Sequence, residues 1–290
     1  MLGAICGDIL GSSYEFSEQK FDDIFSIELI NKEDHYTDDT VLALATAEWL
    51  LDSTFDTKNE EQQKNILAHL YVDYTMNRYR KHELGYGSSY ISWCVKAELI
   101  GDYSPYNSFG NGSAMRVSPV GWYFDSLEKT LKYAKLSASV THNHPEGEKG
   151  AMATAAAIYM ARNGSNKKKI KKYISDRFGY DLSDTVASLR GRHKWNATCQ
   201  GSVPEAITAF LESTDFESTV RLSISYGGDS DTIAAIAGSI AEAFYKHIPD
   251  EILSHCLSRL DANALTVCRN FNEISKLYDT DIFKGENDHA

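Results

Sequence analysis

Two short acidic segments, one near each end of the chain, are built alike. Residues 36–43 read YTDDTVLA and residues 228–235 read GDSDTIAA. Each places two aspartates and a threonine directly before a run of small and apolar residues that predicts a buried helix. Aspartate and threonine are common N-caps, because they accept hydrogen bonds from the free N–H groups of a first helical turn. A helix needs one cap residue, however, so capping alone does not account for two acids and a threonine in both segments.

The apolar runs predict that both helices are central in the fold, which would bring the four aspartates into a small volume. They are Asp38, Asp39, Asp229 and Asp231. Like charges held together there are costly and raise pKa values, and a pair of divalent cations removes that cost. The ligands are hard oxygens, with no cysteine or paired histidine nearby, which selects Mg²⁺, Mn²⁺ or Ca²⁺ over Zn²⁺. The sequence therefore predicts a metal site, with simple helix capping as the alternative.

Helical patterns dominate the chain, while strongly alternating β-type runs are few. Apolar residues recur every three or four positions in several segments, as on one face of a helix. The segments predicted to be helical include 41–51, 60–80, 127–140, 151–162, 204–211 and 232–245. Pro204 is expected in the first turn of its helix. No linker or low-complexity run divides the chain, so we expect one all-α domain over residues 1–290, with about ten or more helices.

Gly3, Gly7 and Gly11 recur every four residues at the start of the chain. Within a helix they form a smooth stripe, at a cost of about 1 kcal/mol for each glycine relative to alanine. Such a stripe predicts that another helix or a ligand approaches closely. Asp8 lies within the stripe, and helix packing alone does not explain it.

Composition excludes several classes of function. Lys and Arg number 29 against 41 Asp and Glu, so the net charge is −12, which argues against non-specific nucleic-acid binding and a polybasic membrane patch. No apolar stretch reaches the roughly 20 residues of a membrane span, and the first residues lack a signal-peptide pattern. The five cysteines form no CxxC pair, which is typical of reduced thiols. We therefore expect a cytoplasmic protein without a membrane partner.

Seven motifs, in order along the chain, resemble those of the ADP-ribosylglycohydrolases, the family that includes the dinitrogenase-reductase-activating glycohydrolase and the serine-type ADP-ribosyl-acceptor hydrolases. They are GAICGDILGSSYEF (3–16), YTDDT (36–40), GYGSS (85–89), NSFGNGSAMRVSPVG (107–121), THNHPEGEKGA (141–151), GSVPEAI (201–207) and GGDSDTIAAIAGSIAEAF (227–244). TDDT and GGDSDTIA, with GNGSAMR between them, are the specific ones. The motif-bearing part covers 3–250, and 251–290 read as closing helices and a polar tail.

The resemblance implies an all-α fold of one orthogonally packed bundle around two divalent cations, usually Mg²⁺ and in some members Mn²⁺. It implies metal ligands from both acidic segments: Thr37, Asp38, Asp39, Asp229, Asp231 and Thr232. The family's reaction is hydrolysis of the bond between C1″ of ADP-ribose and an acceptor, with the metals holding ribose hydroxyls and positioning water. On that basis the predicted catalytic residues are Glu15, Asp38 and Asp39. Glu15 would exchange a proton with the leaving group or with water, and a packing or surface role is its alternative.

The resemblance also implies that loops bind the nucleotide. The predicted substrate-binding residues are Gly87, Tyr103, Ser108, Phe109, Gly110, Gly112 and His142. Tyr103 and Phe109 are spaced like the two aromatics that stack on adenine in serine-type members, while the glycines and Ser108 would surround ribose and diphosphate. His142 is expected near the distal ribose or the acceptor. Ordinary loop or core roles are the alternatives for these aromatics and for His142.

These observations predict a metal-dependent hydrolase that releases ADP-ribose from a protein side chain or a small conjugate, with the serine type favoured. An arginine-linked acceptor, as in nitrogenase control or toxin neutralisation, is the first alternative. An inactive relative that binds ADP-ribose is the second, and the complete set of acids and threonines in both segments argues against it. The expected partner is an ADP-ribosylated protein or an ADP-ribose conjugate, and a monomer is favoured over an oligomer.

Overall fold

Helices account for the regular structure of the protein. We describe it from a computed structural model, in which residues 1–79 and 84–283 are described. The helices are α1 (Leu2–Ser12), α2 (Asp38–Leu51), α3 (Glu60–Asp73), α4 (Ser88–Ile100), α5 (Gly112–Met115), α6 (Ser118–Tyr123), α7 (Leu127–Ser139), α8 (Pro145–Arg162), α9 (Lys167–Phe178), α10 (Val186–Arg192), α11 (Cys199–Glu212), α12 (Phe216–Ile224), α13 (Ser230–Tyr245), α14 (Asp250–Ser258) and α15 (Ala262–Ser275). Within these residues two isolated β-bridges form but no strand does. The predicted all-α fold is therefore confirmed.

Four of the predicted helices, α2, α8, α11 and α13, begin earlier than their patterns indicated, and the difference is largest for α8 and α11. Helix α8 starts at Pro145, ahead of the predicted start at residue 151, because the His144 side chain caps its first turn. Helix α11 starts at Cys199, because Thr198 accepts a hydrogen bond from the backbone N–H of Gly201. The prediction that Pro204 lies in the first turn is wrong, since it lies inside the helix. In both cases the helix begins at a polar cap residue, ahead of the segment that composition and periodicity predict.

Helices α1 and α13 pack backbone against backbone along the glycine stripe. A Cβ added at Gly3 would lie 2.3 Å from the carbonyl oxygen of Gly238, and one at Gly11 would lie 2.6 Å from the Cα of Asp231. The close approach that the glycine stripe predicts is therefore that of another helix, α13. Residue numbers rise along α1 where they fall along α13, so the two helices are antiparallel. The end of α1 therefore meets the start of α13, where the second acidic segment lies.

Helix α13 is central, and residues 230–243 are all buried. Helices α1, α8, α11 and α12 pack around it, while α14 packs on α1 and α15 packs on α2 and α6. The predicted closing helices are thus α14 and α15. The end of the predicted helix 60–80 and the tail residues 284–290 lie outside the described residues. The five cysteines, all within the described part, are free and buried, and none of the described helices has the length and apolar character needed to cross a membrane.

Candidate active site

A cavity of about 290 Å³ opens where the end of α1 meets the starts of α2 and α13. Five carboxylic acids line it: Glu15, Asp38, Asp39, Asp229 and Asp231. Glu15 comes from the loop after α1, and the aspartates come from the two acidic segments. Residues from opposite ends of the sequence therefore share one small volume, because α1 and α13 are antiparallel and in contact.

Side-chain contacts join the two acidic segments directly. Thr232 Oγ1 donates to Asp39 Oδ2 at 3.1 Å, and Thr37 Oγ1 lies 3.4 Å from Asp231 Oδ2. Burial and then neighbouring charges raise the pKa values of Asp39 and Asp231 well above the ordinary value. In the described part of the chain, Asp39 Oδ1 and Asp231 Oδ1 find no hydrogen-bond partner. Buried carboxylate oxygens without a donor are costly, and a bound cation would satisfy them.

Glu15 brings a further carboxylate to the same place. Glu15, Asp229 and Asp231 each offer one oxygen, and these three atoms lie within 4.8 Å of one another. Burial and the charges of Asp229 and Asp8 raise the pKa of Glu15 to about 8. Burial raises the pKa of Asp229 to about 6, although a hydrogen bond from Asn111 opposes it. Carboxylate and hydroxyl oxygens are the donors that Mg²⁺ and Mn²⁺ prefer, so this set of residues fits a divalent cation.

Asp8 fixes the start of α2 to α1. It is fully buried, and its Oδ2 accepts hydrogen bonds from the backbone N–H groups of Thr37 and Thr40, both at 3.0 Å. Its Oδ1 accepts from Thr37 Oγ1 at 2.7 Å. A side chain on one helix thus caps the next one, which explains why an acid lies within the glycine stripe. Asp8 also orients Thr37, one of the predicted metal ligands.

Replacing Asp8 with alanine is expected to lower the free energy of unfolding by about 3 kcal/mol, since the first turn of α2 loses its buried acceptor. Asp8→Asn keeps one oxygen for the two backbone donors and should cost less. Chemical denaturation of both variants and the wild type measures the difference. Equal stability of Asp8→Ala and the wild type would contradict a capping role.

The chain before α13 turns through two glycines. Gly227 has φ 74° and Gly228 has φ 75°, in the left-handed region that glycine adopts readily. The carbonyl oxygen of Gly228 accepts from the N–H of Phe16 at 2.8 Å, and its N–H donates to the Ser17 carbonyl oxygen at 2.7 Å. This pairing ties the loop that carries Glu15 to the start of α13.

Five of the predicted substrate-binding residues line the cavity: Gly87, Ser108, Gly110, Gly112 and His142. Ser108 Oγ accepts from the backbone N–H of Gly110 at 3.1 Å, so this loop is held in a tight turn. Nδ1 of His142 lies 2.7 Å from Thr141 Oγ1. Burial, followed by the charge of Arg116, lowers the pKa of His142 well below its ordinary value. His142 is therefore neutral near pH 7 and offers the cavity a polar, uncharged wall.

Tyr103 and Phe109, the two residues expected to stack on adenine, lie elsewhere. Tyr103 stacks on His69 with ring centroids 4.1 Å apart, and it lines a separate depression beside α3. Phe109 is partly exposed, and its ring centroid lies 5.3 Å from that of His144. Neither side chain lines the cavity described above. Adenine stacking by these two residues stays a prediction.

Other residues that sequence analysis did not select also line the cavity. Among them are Phe16, Tyr106, Asn111 and Trp195. Asn111 donates through Nδ2 to Asp229, and to Ser202 Oγ at 2.8 Å, so it positions a predicted metal ligand. Its place between two glycines of the motif 107–121 is the signal that identifies it. Trp195 belongs to none of the seven motifs, and no sequence pattern marked it.

The fold and the acid-lined cavity together agree with one protein family. The profile described as ADP-ribosylglycohydrolase matches residues 1–280. The chain therefore belongs to the ADP-ribosylglycohydrolase family, as its motifs indicated. Members of this family are glycosidases, and the protein is an ADP-ribosyl hydrolase.

Known proteins resemble the chain along most or part of its length. It is 26% identical to ADP-ribosylhydrolase ARH3 of Homo sapiens in an alignment of 331 positions, and the alignment covers 88% of this chain and 87% of that protein. It is 29% identical to ADP-ribosylarginine hydrolase Tri1 of Pseudomonas putida (strain GB-1) in an alignment of 162 positions, which covers 50% of this chain and 40% of that one. A solved chain of an ADP-ribosylglycohydrolase-related protein complex matches with a TM-score of 0.70 and 22% identity, covering 96% of this chain and 97% of the other. That last likeness shows the fold.

Proposed function

We propose that the protein hydrolyses the bond between C1″ of ADP-ribose and a serine-type acceptor, using two divalent cations held in the acidic cavity, with Mg²⁺ favoured and Mn²⁺ as the alternative. The observation that carries this proposal is the meeting of the two acidic segments with Glu15 in one cavity. The residues that would hold the cations are Thr37, Asp38, Asp39, Asp229, Asp231 and Thr232. Asp39 Oδ1 and Asp231 Oδ1, which are buried and find no donor within the described residues, support that role.

The proposed roles follow from where each group lies. When bound, the cations would supply positive charge that holds the ribose hydroxyls and lowers the pKa of a water molecule. Glu15 is partly exposed to the cavity beside Asp229 and Asp231, so its carboxyl oxygens are free to exchange a proton with the leaving group or with water. The turn from Ser108 to Gly112 and the neutral ring of His142 form a wall that can hold the rest of ADP-ribose.

Three classes of acceptor carry the bond at C1″ that the proposed reaction cleaves. The serine type is favoured by the spacing of Tyr103 and Phe109, which resembles that of the adenine-stacking aromatics of serine-type members, whereas an acid at position 15 is shared with arginine-type members. Arginine is the second candidate, and the similarity of half the chain to an ADP-ribosylarginine hydrolase supports it. Small conjugates such as O-acetyl-ADP-ribose are a third class of substrate with the same bond at C1″.

Metal removal tests the proposal. The purified protein should release ADP-ribose from at least one of three substrates, linked through serine, through arginine or through O-acetyl, when Mg²⁺ or Mn²⁺ is present. Excess EDTA should lower the rate at least about 100-fold, since loss of electrostatic stabilisation at a reacting centre has effects of that size. Full activity in excess EDTA would contradict the metal mechanism.

Binding of ADP-ribose provides a second measurement. Millimolar ADP-ribose should raise the melting temperature, because a ligand that binds the folded state stabilises it by mass action. AMP at the same concentration is the control for the contribution of the adenosine end. No shift with ADP-ribose would contradict the assignment of the cavity.

A further inference from the structure

Two exposed aromatic side chains stand at the cavity. Phe16 is 65% exposed and Trp195 is 55% exposed, and both line the cavity together with the acids. Their rings lie within 28° of parallel, with centroids 6.4 Å apart. Large aromatic side chains normally bury most of their surface. A pair of rings left open to solvent beside a charged cavity therefore indicates a surface that binds a ligand.

The backbone holds Phe16 in place in an uncommon conformation. Its φ is 60°, in the left-handed region that bulky residues rarely adopt, and residues held in such conformations cluster at functional sites. Its N–H donates to the Gly228 carbonyl oxygen at 2.8 Å. A Cβ added at the same glycine would lie 3.5 Å from the Cα of Trp195. Both aromatic residues thus pack against Gly228, the residue directly before Asp229.

The loop that carries Trp195 is also anchored. Lys20 Nζ donates to the carbonyl oxygens of Arg190 at 2.7 Å and of His193 at 2.8 Å. The His193 ring lies 2.9 Å from Glu205 through Nδ1. These contacts attach the loop before Trp195 both to the loop after α1 and to α11. The position of the tryptophan is therefore set by the fold.

The two aromatic faces at this end of the cavity favour a cationic group. Glu15 directly precedes Phe16, and it lies beside Asp229 and Asp231. An aromatic face attracts a cation through its quadrupole. A guanidinium group is planar, weakly hydrated and stacks on aromatic rings, whereas an ammonium group is compact and strongly hydrated. Two nearly parallel rings therefore favour a guanidinium group.

We propose that Phe16 and Trp195 form an aromatic clamp that binds a guanidinium group of the acceptor. This assignment rests on the proposed function, since it concerns the acceptor side of the bond that is cleaved. Glu15 would exchange a proton at the leaving group, and the clamp begins at the next residue. A flat group between two rings needs centroids about 7 Å apart, which is twice a van der Waals separation. The observed centroid separation of 6.4 Å is close to that value.

The guanidinium group has two sources, and three substrates distinguish them. One is a peptide ADP-ribosylated on arginine, the second is a peptide ADP-ribosylated on serine with a neighbouring arginine, and the third is the same serine peptide with glutamine in place of that arginine. Trp195→Ala should raise KM for an arginine-bearing substrate about tenfold more than for the third, the size of a cation–π contact. A change confined to the first substrate identifies the modified arginine, and a change with the second identifies the neighbouring one.

Matched variants separate the clamp from general damage. Trp195→Phe keeps a stacking face, so its KM should lie closer to the wild-type KM than that of Trp195→Ala. In every variant we expect kcat to change less than KM. Phe25→Ala, at another exposed phenylalanine, is the control for Phe16→Ala and should leave all three KM values unchanged. An equal rise in KM for all three substrates would mean that the pair binds ADP-ribose itself, and no rise with any substrate would exclude a binding role. Either result overturns the proposal.

A binding measurement keeps this test independent of turnover. The other three tryptophans, Trp49, Trp93 and Trp122, are buried, so Trp195 dominates fluorescence changes caused by a solute. With ADP-ribose present, methylguanidinium should change the fluorescence at lower concentration than methylammonium, and Phe16→Ala should remove that difference. An equal response to both cations would overturn the clamp. If no substrate is cleaved but the guanidinium preference is present, the proposed function fails, and what stands is that the two rings bind a guanidinium group.

Discussion

Replacing Asp231 with asparagine is expected to lower the rate of ADP-ribose release at least about a thousandfold, since it removes a charge from the proposed metal site that stabilises the reaction by several kcal/mol. Asparagine has nearly the same shape, and its amide oxygen can still accept from Thr37. The change therefore tests the charge and leaves the packing intact. Release of ADP-ribose from the best substrate, at saturating Mg²⁺, measures the effect.

The stability of the same variant separates chemistry from folding. Burial and the charges of Asp229, Glu15 and Asp8 oppose ionisation of Asp231, so an uncharged asparagine at this position costs the metal-free protein no favourable charge interaction. In EDTA the variant should melt at the same temperature as the wild type or above it, while Mg²⁺ should raise its melting temperature less. Asp176→Asn, at an exposed ion pair on α9, is the control and should change neither property. A variant that melts well below the wild type in EDTA would show that Asp231 mainly supports the fold.

The acidic site could be predicted because its residues carry their chemistry in their types. Two acids and a threonine before an apolar run are an unusual combination, and repeating it indicated that both segments serve one site. The sequence did not reveal how they meet. That depends on the antiparallel contact of α1 with α13 and on Asp8, whose three hydrogen bonds reach residues far from it in the chain. Glycine spacing indicated the contact, but it did not identify the partner helix.

The loops were harder to predict than the helices. Helix existence followed from apolar periodicity, although the start of α11 was wrong because a threonine cap was not recognised. Tyr103 and Phe109 have a spacing that matches an adenine site, yet spacing along a loop does not fix where its side chains point. Trp195 lies in a segment without periodicity or a motif. Its role depends on contacts with Gly228 that only the folded chain brings about.

Gly7→Ala is expected to be the most damaging small substitution in the chain. A Cβ at Gly7 would lie 2.1 Å from the carbonyl oxygen of Ala234 and 2.7 Å from the backbone nitrogen of Ala235. Both atoms belong to the backbone of α13, so neither can move without moving the helix. We expect the free energy of unfolding to fall by about 3 kcal/mol or more, as overpacking does when the neighbours cannot yield. Denaturant titration of the two proteins measures this loss.

The direction of this effect is informative, because helix propensity alone predicts the opposite sign. Alanine inside a helix is favoured over glycine by about 1 kcal/mol. Gly191→Ala, inside α10 where an added Cβ meets no atom within 4 Å, is the matched control and should be neutral or stabilising. Gly7→Ala should also weaken Mg²⁺ binding, since α13 cannot shift from α1 without separating Glu15 from Asp229 and Asp231. A Gly7→Ala protein as stable as the control would mean that the contact of α1 with α13 does not set the geometry of the site.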